Sequence, residues 1–179
     1  MTDTCRIRNL LMADLPMALE WRNHPEVRRF MFTRHEITPE EHSRWFAAVS
    51  QDASRRLLIV EDQDGALGYV QFSQVAAGGV ADWGFYVRPD APRGSGRRLG
   101  AIALKHAFKE LRLHKVCGQA LHTNLASIRM HLALGFTQEG ILRDQKLIEG
   151  TYHSLVCFGL LNQDWEIDSQ RRETRHESN

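Results

Sequence analysis

The spacing of apolar residues changes period several times along the chain, and each change marks an element. Positions 5–10 read as a first strand. Asp14 stands where a helix cap is expected, before Leu15, Pro16 and an amphipathic turn running through Leu19 to Arg22. His24-Pro25 breaks that helix, because the residue before a proline avoids helical dihedrals. Thr38-Pro39-Glu40-Glu41 is a stronger start signal: a capping residue, proline at the first position, acids in the first turn. The helix it opens carries Trp45, Phe46 and Val49 on one face.

Shorter apolar runs follow. Runs 57–61 and 66–72 are divided by Asp62-Gln63-Asp64-Gly65, which is hairpin punctuation. A Gly78-Gly79 turn leads into a strand over 80–87. After a glycine- and proline-rich loop from Pro89 to Gly96, residues 97–111 show helical spacing at Leu99, Ile102, Ala103, Ala107 and Phe108. Residues 115–121 read as a buried strand, 127–134 as a short helix stopped by Gly135, and 138–142 and 152–160 as closing strands. From Glu166 the chain is almost wholly polar. A folded domain over 1–165 and a disordered tail over 166–179 are expected. A meander, then strand–helix–strand–helix, then two strands predicts an α+β sheet with helices on both faces. A doubly wound dinucleotide fold fits poorly, since the glycine loop comes only after several meandering strands.

Composition narrows the partners. The 179 residues suffice for one domain with a proper core, and a formal net charge of +1 supplies no global field for nucleic acid or a membrane surface. Any basic patch must be local. Cys5, Cys117 and Cys157 form no C-x-x-C pair and read as reduced thiols. The nine histidines show no H-E-x-x-H, so no metal is expected. With no apolar leader at residues 1–10, a cytoplasmic location is expected.

The candidate chemistry centres on Arg93-Gly94-Ser95-Gly96-Arg97, between a strand and a long helix. Backbone N–H groups there can converge on an anion, and the helix N-terminus adds partial positive charge. Farther on comes Asn124-Leu125-Ala126-Ser127-Ile128-Arg129-Met130-His131, ending in Gly135-Phe136. These two motifs together resemble the GNAT family of N-acetyltransferases, whose second signature runs N-x-x-A-I-x-L-Y-x-x-x-G-F. The resemblance covers the chain to about Trp165. It implies a mostly antiparallel sheet of about seven strands with a V-shaped splay between the fourth and fifth.

The resemblance also implies acetyl-CoA as co-substrate. Phe85, Tyr86 and Val87 would pair with the pantetheine arm, and an N–H among them would hold the thioester oxygen as it becomes an oxyanion. Arg93, Gly94, Ser95, Gly96 and Arg97 would bind the pyrophosphate, with Asn124 and Ser127 on the pantetheine. Four departures stand out. Ala91 replaces a usual Gln or Arg, Ser127 a small alanine, and Met130 a leucine. His131 replaces the tyrosine that protonates the leaving thiolate, and is the candidate acid. The general base stays open among Asp82, Glu41 and His122, since the strand that often carries an acid offers Gln119.

For the acceptor, the run from Trp21 through Arg22, His24, Arg28, Met31 and Phe32 to Ile37 resembles one branch of the family. That branch acetylates the 4-amino group of a UDP-linked 4-amino-4,6-dideoxy-N-acetyl-altrosamine in pseudaminic acid biosynthesis. Arg22 and His24 would meet the diphosphate, and Met31, Phe32, Trp45 and Tyr86 the sugar or uracil. The same apolar residues would also suit plain core packing. The expected partner is thus a UDP-amino-sugar, within a homodimer. Two other readings stand: a ribosomal-protein or peptide N-terminal acetyltransferase, and a non-catalytic acyl-CoA sensor.

Overall fold

The computed structural model describes residues 5–177, and side chains as far as Gln170. Seven strands form one sheet in the order β1-β2-β3-β4-β5-β7-β6. β1 (Arg6–Asn9), β2 (Arg56–Asp62), β3 (Gly65–Ser73) and β4 (Val80–Val87) make the antiparallel meander. β5 (Lys115–Leu121) joins β4 in parallel. The long hairpin of β6 (Thr137–Ile148) and β7 (Thr151–Leu161) closes the sheet, with β7 inserted between β5 and β6. The α+β expectation holds, with the seven strands that the resemblance implies.

Successive side chains of a strand point to opposite faces, and β2 is apolar on both. Leu58 and Val60 join a core under α4 (Ser95–Lys109) and α5 (Leu125–Ala133), whose anchors include Leu99, Ala103, Leu104 and Phe108. Leu57 and Ile59 join a second core under α1 (Leu15–Asn23) and α3 (Pro39–Val49), together with Leu15, Ala18 and Tyr69. The sheet is therefore covered on both faces.

The N-terminal helices end where the sequence says they should. His24 at ψ 134° stops α1, and Pro25 opens the single turn α2 (Pro25–Arg28). Asp14, expected to cap α1, makes no cap bond: its carboxylate accepts from the Leu11 N–H and binds Arg8. The expectation of disorder from Glu166 is corrected. α6 runs Asn162–Glu177, tied by Trp165 on Phe108 (5.3 Å between rings) and Lys109 on Glu166 (2.8 Å). One aromatic anchor in its first turn offsets a polar composition. Positions 178–179 of the expected tail lie outside the described residues.

Candidate active site

β4 and β5 pair only at Val80↔Lys115, Ala81↔Val116 and Asp82↔Cys117. Beyond Asp82, β4 keeps its β3 partners to Val87, whereas β5 turns away with β7. The β5-facing edge of β4 from Trp83 to Val87 thus meets no strand, and its polar groups are available to an extended ligand. A cavity of about 870 Å³ fills the gap. A second, of about 490 Å³, opens toward α1 and α3. The two share Met31, Phe32, Gln71, Gly84, Phe85 and Tyr86, so they meet over Gly84, where β4 has no side chain.

The larger cavity receives most of the predicted cofactor residues: Phe85, Tyr86, Val87, Gly94, Gly96, Arg97, Asn124 and Ser127. Gly94, at φ 91°, takes the left-handed turn that starts α4. A Cβ on Gly96 would stand 3.3 Å from Met130 Sδ, so only glycine leaves this corner open. The first turn of α4 has N–H groups without intrahelical carbonyls, as an anion site requires. Two predicted residues fall outside the wall. Arg93 is on the exposed loop before Gly94, and the Ser95 N–H is spent on the Pro92 carbonyl at 3.2 Å. Asn124 caps α5, its side-chain oxygen accepting from the Ser127 N–H at 3.1 Å.

His131 differs from expectation. It is 1% exposed and is absent from the walls of both cavities. Trp83 Nε1–H donates to its Nε2 at 3.1 Å, and its Nδ1 lies 2.8 Å from the Ser127 carbonyl oxygen. An indole N–H only donates, so Nε2 must accept and the ring proton sits on Nδ1. Burial pushes its pKa down, outweighing the bond to Ser127. Both ring nitrogens are engaged inside the protein, and the structure does not bring His131, the expected acid, into the wall of either cavity. Ser127, one turn earlier, does line the cavity, and its Oγ is 3.4 Å from His131 Nδ1.

Of the residues expected at the acceptor, Arg22, Met31, Phe32, Trp45 and Tyr86 line the smaller cavity. His24 is not there: it is exposed, and its Nδ1 accepts from the Glu26 N–H at 3.3 Å, capping α2. His42 is there instead, 6% exposed and stacked on Trp45 at 5.2 Å, with Nδ1 lacking a partner. Its spacing to Trp45, Phe46 and Val49 is that of one helical face, a signal that sequence reading passed over. Arg22 gives Nη2 to the Thr33 carbonyl at 2.9 Å and leaves Nη1 buried and unpartnered. Burial lowers the Arg22 pKa, and burial and then Arg22 lower that of His42. Tyr69 and Tyr86, stacked at 5.0 Å, have pKa values raised by burial and stay protonated.

Of the candidate bases, Asp82 lines the larger cavity and accepts from Gln74 Nε2 at 3.2 Å. Glu41 lines the smaller one, but its carboxylate accepts from the Thr38 N–H at 2.8 Å and faces His35 at 3.4 Å. His122 lines neither and faces His153 at 6.0 Å. Gln119 is on the wall of the larger cavity. Among the described residues no group of His, Cys, Asp or Glu could hold a metal ion, and no helix is long and apolar enough to cross a membrane.

A model of the acetyltransferase (GNAT) domain matches residues 5–137, well over half of the chain. The chain belongs to the GNAT family. It is an acetyl-CoA-dependent N-acetyltransferase, and the slot beside β4 with the glycine turn at α4 suits an extended arm ending in phosphates. Among relatives, the acetyltransferase PseH of Campylobacter jejuni is 26% identical over 124 residues, 69% of this chain and 77% of that one. The spermidine N(1)-acetyltransferase of Vibrio cholerae is 23% identical over 158 residues, 87% of this chain and 91% of that one. The solved spermidine N-acetyltransferase of Vibrio cholerae, in complex with CoA and spermine, superposes with a TM-score of 0.82 at 22% identity. That match covers 90% of this chain and 97% of that one.

Proposed function

We propose that this GNAT enzyme acetylates the 4-amino group of a UDP-linked 4-amino-4,6-dideoxy-N-acetyl-altrosamine, a step of pseudaminic acid biosynthesis. The observation that carries the reading is the charge of the smaller cavity. Arg22 Nη1 is buried there without a partner, near a buried His42 whose Nδ1 is equally unpartnered. Leaving such groups unmade costs about 1–3 kcal/mol each, more for a charge, so the site calls for an anionic acceptor group. A nucleotide diphosphate supplies one, and Phe32, Met31 and Trp45 offer the apolar wall a uracil or 6-deoxy sugar would use. The resemblance of the run from Trp21 to Ile37 to the sugar-acetylating branch of the family supports the same acceptor.

Catalysis is direct attack of the amine on the thioester with both substrates bound. The larger cavity holds acetyl-CoA along β4, and the acceptor reaches it over Gly84. A β4 N–H in the Phe85–Val87 stretch takes the developing oxyanion, the interaction worth most in acyl transfer. The Ser127 hydroxyl donates a hydrogen bond to the departing sulfur in place of His131. A thiol of pKa about 8.5 needs no stronger acid.

A polyamine acceptor is the second reading, favoured by the Vibrio cholerae relative and by Glu41 on the same wall. Glu41 is already engaged by Thr38 and His35, and Arg22 repels a polycation. Thiol release from acetyl-CoA decides between them, with the altro sugar nucleotide, its gluco isomer, spermidine and a ribosomal N-terminal peptide offered in parallel. Turnover is expected with the altro sugar. Arg22→Ala is expected to raise its KM by about 10- to 100-fold, the worth of a charge-assisted hydrogen bond, with the KM for acetyl-CoA unchanged. Turnover with spermidine or the peptide alone would reject the sugar reading.

A further inference from the structure

Gln71 is the side chain that reaches the junction of the two cavities from β3. It pairs directly with Gly84 across the β3–β4 ladder and lines both cavities. A Cβ placed on Gly84 would lie 3.3 Å from Gln71 Nε2 and 3.5 Å from its Cγ. The glutamine therefore lies across the one residue of β4 that has no side chain, heading for the open edge. Any larger residue at 84 would meet it.

The orientation of the amide is set from behind. Tyr69 Oη–H donates to Gln71 Oε1 at 3.1 Å. Tyr69 is 5% exposed, and burial raises its pKa, so the phenol keeps the proton it gives to this bond. A phenol that donates selects Oε1 as its partner, which leaves the two N–H bonds of Nε2 for the junction. Tyr69 is itself fixed by Tyr86 stacked at 5.0 Å and by Trp45 edge-on at 6.4 Å. This is a neutral, pre-aimed donor behind a rigid aromatic wall, and such a donor costs little to reorganise when charge develops.

We propose that Gln71 is a catalytic residue of the acetyl transfer, its Nε2–H donating to the thioester oxygen as that oxygen gains charge. The nitrogen lone pair forms the C–N bond and the C=O π pair moves onto oxygen, where Gln71 and the β4 N–H both hold it. The pair then returns, the C–S bond breaks, and CoA leaves as thiolate. The proton shed by nitrogen balances the one the thiolate takes up, and Gln71 gains and loses none. The role rests on the acetyl transfer common to the family and not on the identity of the acceptor.

The test is therefore spectroscopic first. Acetyl-CoA labelled with ¹³C at the carbonyl is bound to the wild type, Gln71→Ala and Tyr69→Phe, with calorimetry to verify that each variant still binds it. The wild type is expected to move the carbonyl resonance downfield, Gln71→Ala to lose most of that shift, and Tyr69→Phe to lose part of it. With any amine that is turned over, Gln71→Ala should lower kcat by about 100-fold while the KM for acetyl-CoA stays within about twofold. Gln71→Glu keeps the shape without the donor and should match Gln71→Ala in kcat. A resonance unmoved by Gln71→Ala, or a loss confined to the acceptor's KM, overturns the proposal. Failure of the sugar nucleotide as substrate leaves the carbonyl measurement intact.

Discussion

The two ring nitrogens of His131 are committed in opposite senses, one accepting from Trp83 and one donating to Ser127. Gly118 makes room for this pair: a Cβ there would be 2.5 Å from His131 Nε2 and 2.7 Å from Trp83 Nε1. The pair was not legible in the sequence. The signature aligned His131 with a tyrosine, but a shorter imidazole follows its own hydrogen bonds inward, where Phe158 stacks on it at 4.5 Å. The stability consequence has a definite sign. With its folded pKa depressed, His131 binds fewer protons than in the unfolded chain just below the ordinary histidine value of about 6.5. Its contribution is complete above that pH and is lost as pH falls toward the folded pKa. Wild-type unfolding free energy is expected to drop as pH falls below about 6.5, and His131→Phe to have a shallower slope there. At pH 7.5 the variant should also be less stable by about 1–3 kcal/mol, because the Trp83 N–H is left buried without an acceptor. Denaturant titrations at several pH values measure both effects, and an equal slope in the variant would assign the titration to His42 or His106, which burial also depresses.

Between α2 and α3 runs the segment that roofs both cavities, and its C-terminal end is pinned by side chains the sequence advertises unequally. Thr38-Pro39-Glu40-Glu41 announced the α3 terminus, and it forms a full capping box: Thr38 Oγ1 accepts from the Glu41 N–H and Glu41 Oε2 from the Thr38 N–H. Such short-range signals are readable because the partners lie within one turn. Asn23 is different. Its amide bonds both the N–H and the carbonyl of Ile37 at 2.9 and 2.8 Å, fourteen residues away, and nothing in local spacing foretells that. The same limit hid Gln71, whose importance depends on which strands and helices turn toward each other. Thr38→Ala is expected to cost about 1 kcal/mol of stability through the lost cap. Since Met31 and Phe32 hang from the same segment, the acceptor's KM should rise with it, which steady-state kinetics alongside thermal unfolding would reveal. A pure stability loss would mean that the roof holds without its C-terminal pin.

At the scale of the whole molecule, the meander, the crossover at α4 and the order of elements were visible because each rests on hydrophobic period and turn chemistry. Three features were not: the extension of β6 past Leu142 to Ile148, the docking of α6, and a contact between the segment before α3 and the β6–β7 turn. That last contact joins the roof to the hairpin tip. Arg34 Nη1 is 3.2 Å from Glu149 Oε2, and Lys146 Nζ sits 5.0 Å above the Phe32 ring. The tip itself is sharply turned, with Glu149 at φ 50° and Gly150 at φ 80°. The strap is weak in energetic terms, since exposed ion pairs contribute about 0–1 kcal/mol and an exposed cation over a ring about 0.5–1 kcal/mol. Its effect should therefore appear in binding before stability. Phe32 lines both cavities, so an acceptor that closes the roof gains from every contact that already holds it down. Joint replacement of Lys146 and Glu149 by alanine is expected to lower stability by no more than about 1–2 kcal/mol, the sum of the two contacts. The acceptor's KM should rise several-fold, with the KM for acetyl-CoA less affected because most of its cavity lies on β4, β5, α4 and α5. Added salt screens exposed charges over about 10 Å at 0.1 M, so the difference in acceptor KM between wild type and variant should narrow as ionic strength rises. A difference that persists at high salt would trace the effect to packing of Phe32 rather than to the charges that hold it.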